Sequence, residues 1–122
     1  MADSGLLLAL GQGEQRAWAL RRALLRNAEP FATPTTCVAE VWRGGTGPNT
    51  NTARALKGVR EVAIDSVLAR RAGVLLAAIG HDDPVDALLV ACAERHNATV
   101  VTGDPDVRAL AQHAGVACRS LP

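Results

Sequence analysis

Residues 83–106 read DPVDALLVACAERHNATVVTGDPD, which in order spells a helix, a strand and the start of a second helix. Asp83-Pro84 is an N-cap followed by proline at the first helical position, where the missing N–H is one the helix leaves unbonded anyway. The helix then runs through Leu88, Leu89, Val90 and Cys92 to Glu94, and its nearly unbroken apolar sequence predicts burial. Thr99 to Thr102 is a β-branched run without a polar break, the pattern of a strand covered on both faces. After it, Asp104-Pro105 repeats the cap-and-proline signal and opens a helix ending at Gly115.

The remaining chain repeats this alternation. Gln12 to Asn27 carries Ala17, Leu20 and Leu24 at helical spacing, with Arg16, Arg21, Arg22 and Arg26 on other faces, and Pro30 stops it. Phe31 to Thr33 is a short extended segment. Thr36 can cap a helix through Val38 and Glu40 to Gly44-Gly45. The run TGPNTNT, Thr46 to Thr52, is turn chemistry before a short helix at Ala53 to Lys57. Val59 to Ile64 is strand-compatible. Asp65 or Ser66 opens a helix through Leu68, Ala72, Leu75, Leu76 and Ile79, and Val116 to Leu121 supplies a last strand. Short strands alternating with helices of about 10 to 15 residues predict the α/β class, with a parallel sheet and helices on both faces.

The 122 residues suit a single domain spanning 1–122. Thirteen basic against twelve acidic residues leave a net charge of +1, so a nucleic-acid partner would have to meet a local basic patch. Cys37, Cys92 and Cys118 show no CxxC or Cys/His ligand spacing and read as reduced structural thiols. No basic segment precedes the apolar run Leu6 to Leu10, and no stretch reaches membrane-spanning length, so the expectation is a cytoplasmic protein away from membranes.

Four carboxylates, Asp3, Glu40, Asp86 and Asp104, each follow an extended segment at or near a helix start. In an open α/β sheet such positions converge at the carboxyl ends of the strands. Taken singly, Asp3 before Ser4-Gly5 and Asp104 before Pro105 are explained by capping and the helix dipole. Asp86 is different. Asp83 already serves as cap, so an acid one turn later among Val85, Ala87 and Leu88 needs a partner or a metal to offset desolvation. Glu40, in the helical run CVAEVW, has an ion pair with Arg43 as its simplest explanation.

Taken as an ordered set, these residues resemble the PIN-domain family, most closely its VapC-type toxins of bacterial toxin–antitoxin pairs. The resemblance rests on Asp3 in ADSGLLLAL, Glu40 in VAEVWRGG, Asp86 in DPVDALLVACAE and Asp104 in TVVTGDPD, and it spans almost the whole chain. It implies a three-layer α/β/α sandwich around a central parallel sheet of four or five strands. It also implies Mg²⁺- or Mn²⁺-dependent cleavage of RNA, a small antitoxin partner and a homodimer. The sequence departs from the family pattern twice. Only Met1 and Ala2 precede Asp3 where the family has a full central strand, so either the true start lies upstream or that strand is stunted. Val107 stands where some VapC-type sequences carry a further acid, which leaves Asp106 as an imperfect substitute.

On that reading Asp3, Asp86 and Asp104 are primary ligands of a hard cation. Glu40 is a ligand or orients metal-bound water, Asp106 is auxiliary, and Thr102 and Ser4 hydrogen-bond the acids. Arg43 meets a phosphate, and the arginines of the Gln12 to Asn27 helix guide an RNA backbone or simply form a solvated face. His81, His96 and His113 read as surface residues at helix ends, and Trp18 as core or interface. The competing reading is a catalytically degenerate PIN fold kept as a partner-binding module.

Overall fold

In the computed structural model, which describes residues 1–27, 31–44 and 50–121, seven helices and four short strands are set out in the order the sequence predicts. They are α1 (Ser4–Gly11), α2 (Gln15–Arg26), β1 (Ala32–Pro34), α3 (Thr35–Val41), α4 (Thr50–Leu56) and β2 (Arg60–Val62), followed by α5 (Ser66–Ile79), α6 (Pro84–His96), β3 (Val100–Thr102), α7 (Pro105–Ala114) and β4 (Cys118–Ser120). The expected stop at Pro30, Gly45 of the Gly44-Gly45 stop and residues 46–49 of the expected turn lie outside the described residues, whereas Thr50 to Thr52, also expected in that turn, already belong to α4, which starts ahead of Ala53 and ends at Leu56.

β1 pairs with β2 and β3 with β4, both in parallel. The two pairs are joined by the extended residues Met1 and Ala2. Ala2 pairs in parallel with Val101, the Val101 N–H donates to Met1 O at 2.9 Å, and the Ala2 N–H donates to Ala32 O at 2.7 Å. The resulting order is β2, β1, Met1–Ala2, β3, β4, with Met1 and Ala2 in the central position. β3 is buried at all three residues, whereas the outer β2 and β4 are largely exposed. Those are the burial patterns of a covered centre and two edges.

Helices complete the α/β sandwich. α1 packs on α3 and α4, and α5, α6 and α7 pack on one another, with α6 and α7 against the strands. The apolar sequence of α6 is used as expected, since Ala87, Leu89, Val90, Ala91, Cys92 and Ala93 are all buried. Asp65, Asp83 and Asp104 each cap the helix that follows by accepting a backbone N–H.

Other expectations change as well. The Gln12 to Asn27 helix begins only at Gln15, because Gln12 closes α1. α3 starts at Thr35 rather than after a Thr36 cap: Pro34 ends β1 in extended conformation and leads straight into the helix. α3 also ends before Gly44, because Trp42 leaves the helical region at ψ 128°. Arg21, expected on a solvated or RNA-facing surface, instead turns inward. Its Nε donates to Ala55 O at 3.0 Å and its NH2 to Lys57 O at 2.5 Å, which satisfies carbonyls at the end of α4. Trp18 lies under the guanidiniums of Arg21 and Arg54, at 5.3 and 5.5 Å, and donates from Nε1 to Leu10 O.

The α1–α4 contact is closest at Gly11, where an added Cβ would stand 2.6 Å from the Thr52 hydroxyl oxygen. Thr52 is buried and β-branched, so it has little rotamer freedom with which to yield. Gly11→Ala is therefore expected to destabilise the fold by about 1–3 kcal/mol. Adding Thr52→Ala should recover most of that loss in urea unfolding, whereas strictly additive effects of the two substitutions would refute the contact.

Candidate functional site

Asp3 is the residue at which the extended segment Met1–Ala2 becomes α1, and it is buried. Its Oδ1 accepts the Leu6 N–H at 2.7 Å as the helix cap, and its Oδ2 accepts the Thr102 hydroxyl at 2.5 Å. Thr102, the fully buried end of β3, also accepts the Asp104 N–H at 3.0 Å. One hydroxyl thus ties the first acid to the last. Asp104 in turn caps α7 by accepting the Asp106 N–H at 2.8 Å.

The other acids approach from two more helices. Asp86 lies in the first turn of α6, behind Asp83, whose Oδ1 accepts the Val85 and Asp86 N–H groups. Glu40, on α3, accepts the Ser4 hydroxyl. Asp3, Ser4, Gly5, Glu40, Asp83, Asp86, Gly103, Asp104 and Leu121 line one cavity of about 390 Å³ at the carboxyl ends of the strands. No Lys, Arg or His is among these lining residues. A larger cavity of about 790 Å³, bordered by Met1, Phe31, Thr99 and Arg119, lies at the opposite end and contains no carboxylate.

The electrostatics follow from burial. Desolvation raises the Asp3 carboxyl above its ordinary range, against the lowering effect of the Thr102 and Leu6 hydrogen bonds, and the Asp104 charge raises it further. Desolvation also raises Asp86, His81 lowers it by hydrogen bonding, and the charges of Asp83 and Asp104 push it up again. These acids feel one another, yet among the described residues no three His, Cys, Asp or Glu side chains stand close enough to hold one metal ion directly. A cation here would be shared between direct carboxylate contacts and bridging waters. Mg²⁺ commonly binds in this way, because it gives up its waters reluctantly. The donor set is hard oxygen, and no cation lines the cavity, which fits such an ion.

All four expected acids therefore border one cavity, together with Ser4, and Thr102 supports two of them from beneath. Asp83, read only as a cap, is an additional acid of the cavity. Two expected residues lie elsewhere. Asp106 is exposed and lines no part of the cavity, and Val107 beside it is buried core. Arg43 is also outside the lining; its guanidinium donates to the carbonyls of Ala39 and Trp42. Glu40 is exposed.

The residue that sequence reasoning missed is His81. Expected at the surface, it is only 17% exposed at its side chain, and its Nε2 lies 3.1 Å from Asp86 Oδ2. The available signal was Gly80, which ends α5 in the left-handed conformation and so reverses the chain toward the start of α6. The cysteines behave as expected. Burial pushes the Cys37 and Cys92 thiols up to about 11, so both are inert, and all three are free.

The chain matches the family model described as PIN domain over residues 1–113. Among solved structures it is similar to a chain in the crystal structure of VapBC2 from Rickettsia felis bound to a DNA fragment from their promoter. That match has a TM-score of 0.80 at 15% identity and covers 100% of this chain and 98% of the other. No curated protein matches the chain in sequence.

The raised Asp3 carboxyl sets a pH dependence. Protonated Asp3 stabilises the metal-free fold fully below its ordinary value of 3.8, and this contribution is lost as pH rises through the raised value. Asp3→Asn has no such charge to lose. The melting temperature of Asp3→Asn minus that of wild type should accordingly be greatest near pH 7 and shrink on acidification toward pH 4. A difference independent of pH would show that Asp3 is not strained by its charge.

Proposed function

Because the chain belongs to the PIN domain family, we propose that its acidic cavity is the active site of a metal-dependent endoribonuclease, the toxin of a bacterial toxin–antitoxin pair. The observation that carries this reading is the meeting of Asp3, Glu40, Asp86 and Asp104, with Asp83, around one cavity free of lining cations. Asp3, Asp86 and Asp104 would hold Mg²⁺ or Mn²⁺, and Glu40 would serve as a further ligand or orient a water beside it. When bound, the ion supplies Lewis-acid stabilisation of the phosphate and a more acidic water. The protein's own residues fix the geometry. Thr102 holds Asp3 and the start of α7 together, Ser4 holds Glu40, and the surrounding carboxylates accept protons that the attacking water releases. No nucleophilic side chain is required.

RNA enters this reading through the family's chemistry, and Arg43, close in sequence to Glu40, is assigned to a substrate phosphate. A small antitoxin is the assigned partner, a reading supported by the fold's likeness to a chain of VapBC2. Leu8 on α1 and Leu25 on α2 are exposed and offer it apolar surface. Val67 and Val74, exposed one heptad apart on α5, are assigned to a homodimer. No described helix is long and apolar enough to cross a membrane. The degenerate, partner-binding alternative draws its support from the absence of any three described acids at direct metal-binding distance.

The purified chain is expected to cleave single-stranded or structured RNA with Mn²⁺, and EDTA should abolish the activity. Asp86→Asn should lower the rate on the order of 100-fold or more, the loss of several kcal/mol of transition-state stabilisation. Folded wild-type protein that cleaves no RNA at any Mn²⁺ concentration would leave the binding module as the better reading.

A further inference from the structure

The acids of the cavity are not all held in the same way. Asp3, Asp83 and Asp104 are N-caps, so each has backbone N–H groups of its own helix as fixed donors: Leu6 for Asp3, Val85 and Asp86 for Asp83, Asp106 for Asp104. Glu40 has the Ser4 hydroxyl. Asp86 is the third residue of α6, beyond the reach of the cap's donors, and among the described residues its carboxylate accepts a hydrogen bond from His81 alone. The charges of Asp83 and Asp104 would otherwise push a rotatable carboxylate away from the place where the acids gather.

His81 is itself well fixed. Gly80 turns the chain at φ 67°, ψ 30°, and the His81 N–H donates to Leu76 O at 3.1 Å, which anchors its backbone to the last turn of α5. Both side chains are mostly covered, at 17% and 18% exposure, so water competes weakly for their contact. His81 is not among the cavity's lining residues, which separates it from the reacting centre.

From this geometry we infer that His81 is a positioning residue: its Nε2–H fixes Asp86 Oδ2 and so presents the other carboxylate oxygen to a divalent cation in the cavity. The inference rests on the metal reading above and adds a residue outside the carboxylate set. Outer hydrogen bonds to metal ligands are worth roughly 10- to 100-fold in metal affinity. α5 and its terminal turn thereby acquire a part in the site, although they contribute no ligand.

The test uses Mn²⁺ alone with the full chain and no RNA, following loss of the free Mn²⁺ electron paramagnetic resonance signal. Wild type, His81→Ala, His81→Gln and Asp86→Asn are compared, with thermal melting alongside. Glutamine places an amide N–H near the position of Nε2 and keeps the donor without the ring. His81→Ala is expected to weaken Mn²⁺ binding about 10-fold or more, and His81→Gln to stay within about threefold of wild type, with melting temperatures little changed. Wild-type affinity in His81→Ala, with Asp86→Asn still defective, would overturn the positioning role and leave the metal site intact. Equal losses in the alanine and glutamine variants, tracking a fall in melting temperature, would overturn it in favour of a purely structural role. Absence of binding in wild type itself would overturn the metal reading and this inference with it.

Discussion

The hydroxyl of Thr102 holds the sheet and the acidic cavity in one piece. It donates to Asp3 Oδ2 and accepts the Asp104 N–H, so it joins the end of the central extended segment to the start of α7. Asp3 is buried, and a buried carboxylate that lost this partner would carry the full cost of an unsatisfied charge. The threonine also ends β3, whose burial on both faces fixes where its hydroxyl can point. Met1 and Ala2, just before Asp3, are secured on both sides by Val101, Ala32 and Thr33, whose hydroxyl donates to Ala2 O at 2.9 Å.

Charge is segregated around that centre. The chain is nearly neutral, yet five of its twelve carboxylates line the cavity and no arginine does. Arg71 grips Glu94 and Arg95 grips Asp65, each through two hydrogen bonds, on the exposed side of α5 and α6. The Arg95 contact, with the Leu68 N–H, draws the Asp65 carboxyl down to about 2, opposite in sense to the shifts of Asp3 and Asp86. The same residue type is therefore stabilised as an anion at one helix start and strained as an anion at another. The strained pair is the one a cation would relieve.

Legibility followed the range of the interaction. Asp65, Asp83 and Asp104 were readable as caps because a cap bond spans two or three residues and leaves a local signature. The buried helix α6 and strand β3 were readable because burial on all sides writes an unbroken apolar run. Arg21 was not readable, since the carbonyls it satisfies lie more than 30 residues downstream and nothing near it in sequence announces them. Thr102 and Ser4 were readable as hydrogen-bonding the acids, but not which acid each takes, since the Ser4–Glu40 and Thr102–Asp3 bonds join residues 36 and 99 positions apart.

By itself the sequence determined the α/β order of elements, the caps Asp65, Asp83 and Asp104, the buried helix and the four acids at helix starts, because these depend on periodicity and on contacts within one turn. Only the tertiary structure decided that those acids face one cavity, that Asp83 joins them and that Asp106 stays outside. It alone set His81 against Asp86. The physical reason is that convergence depends on how parallel strands register and how helices pack across them, and side-chain hydrogen bonds between distant residues form only once that packing has fixed their separation.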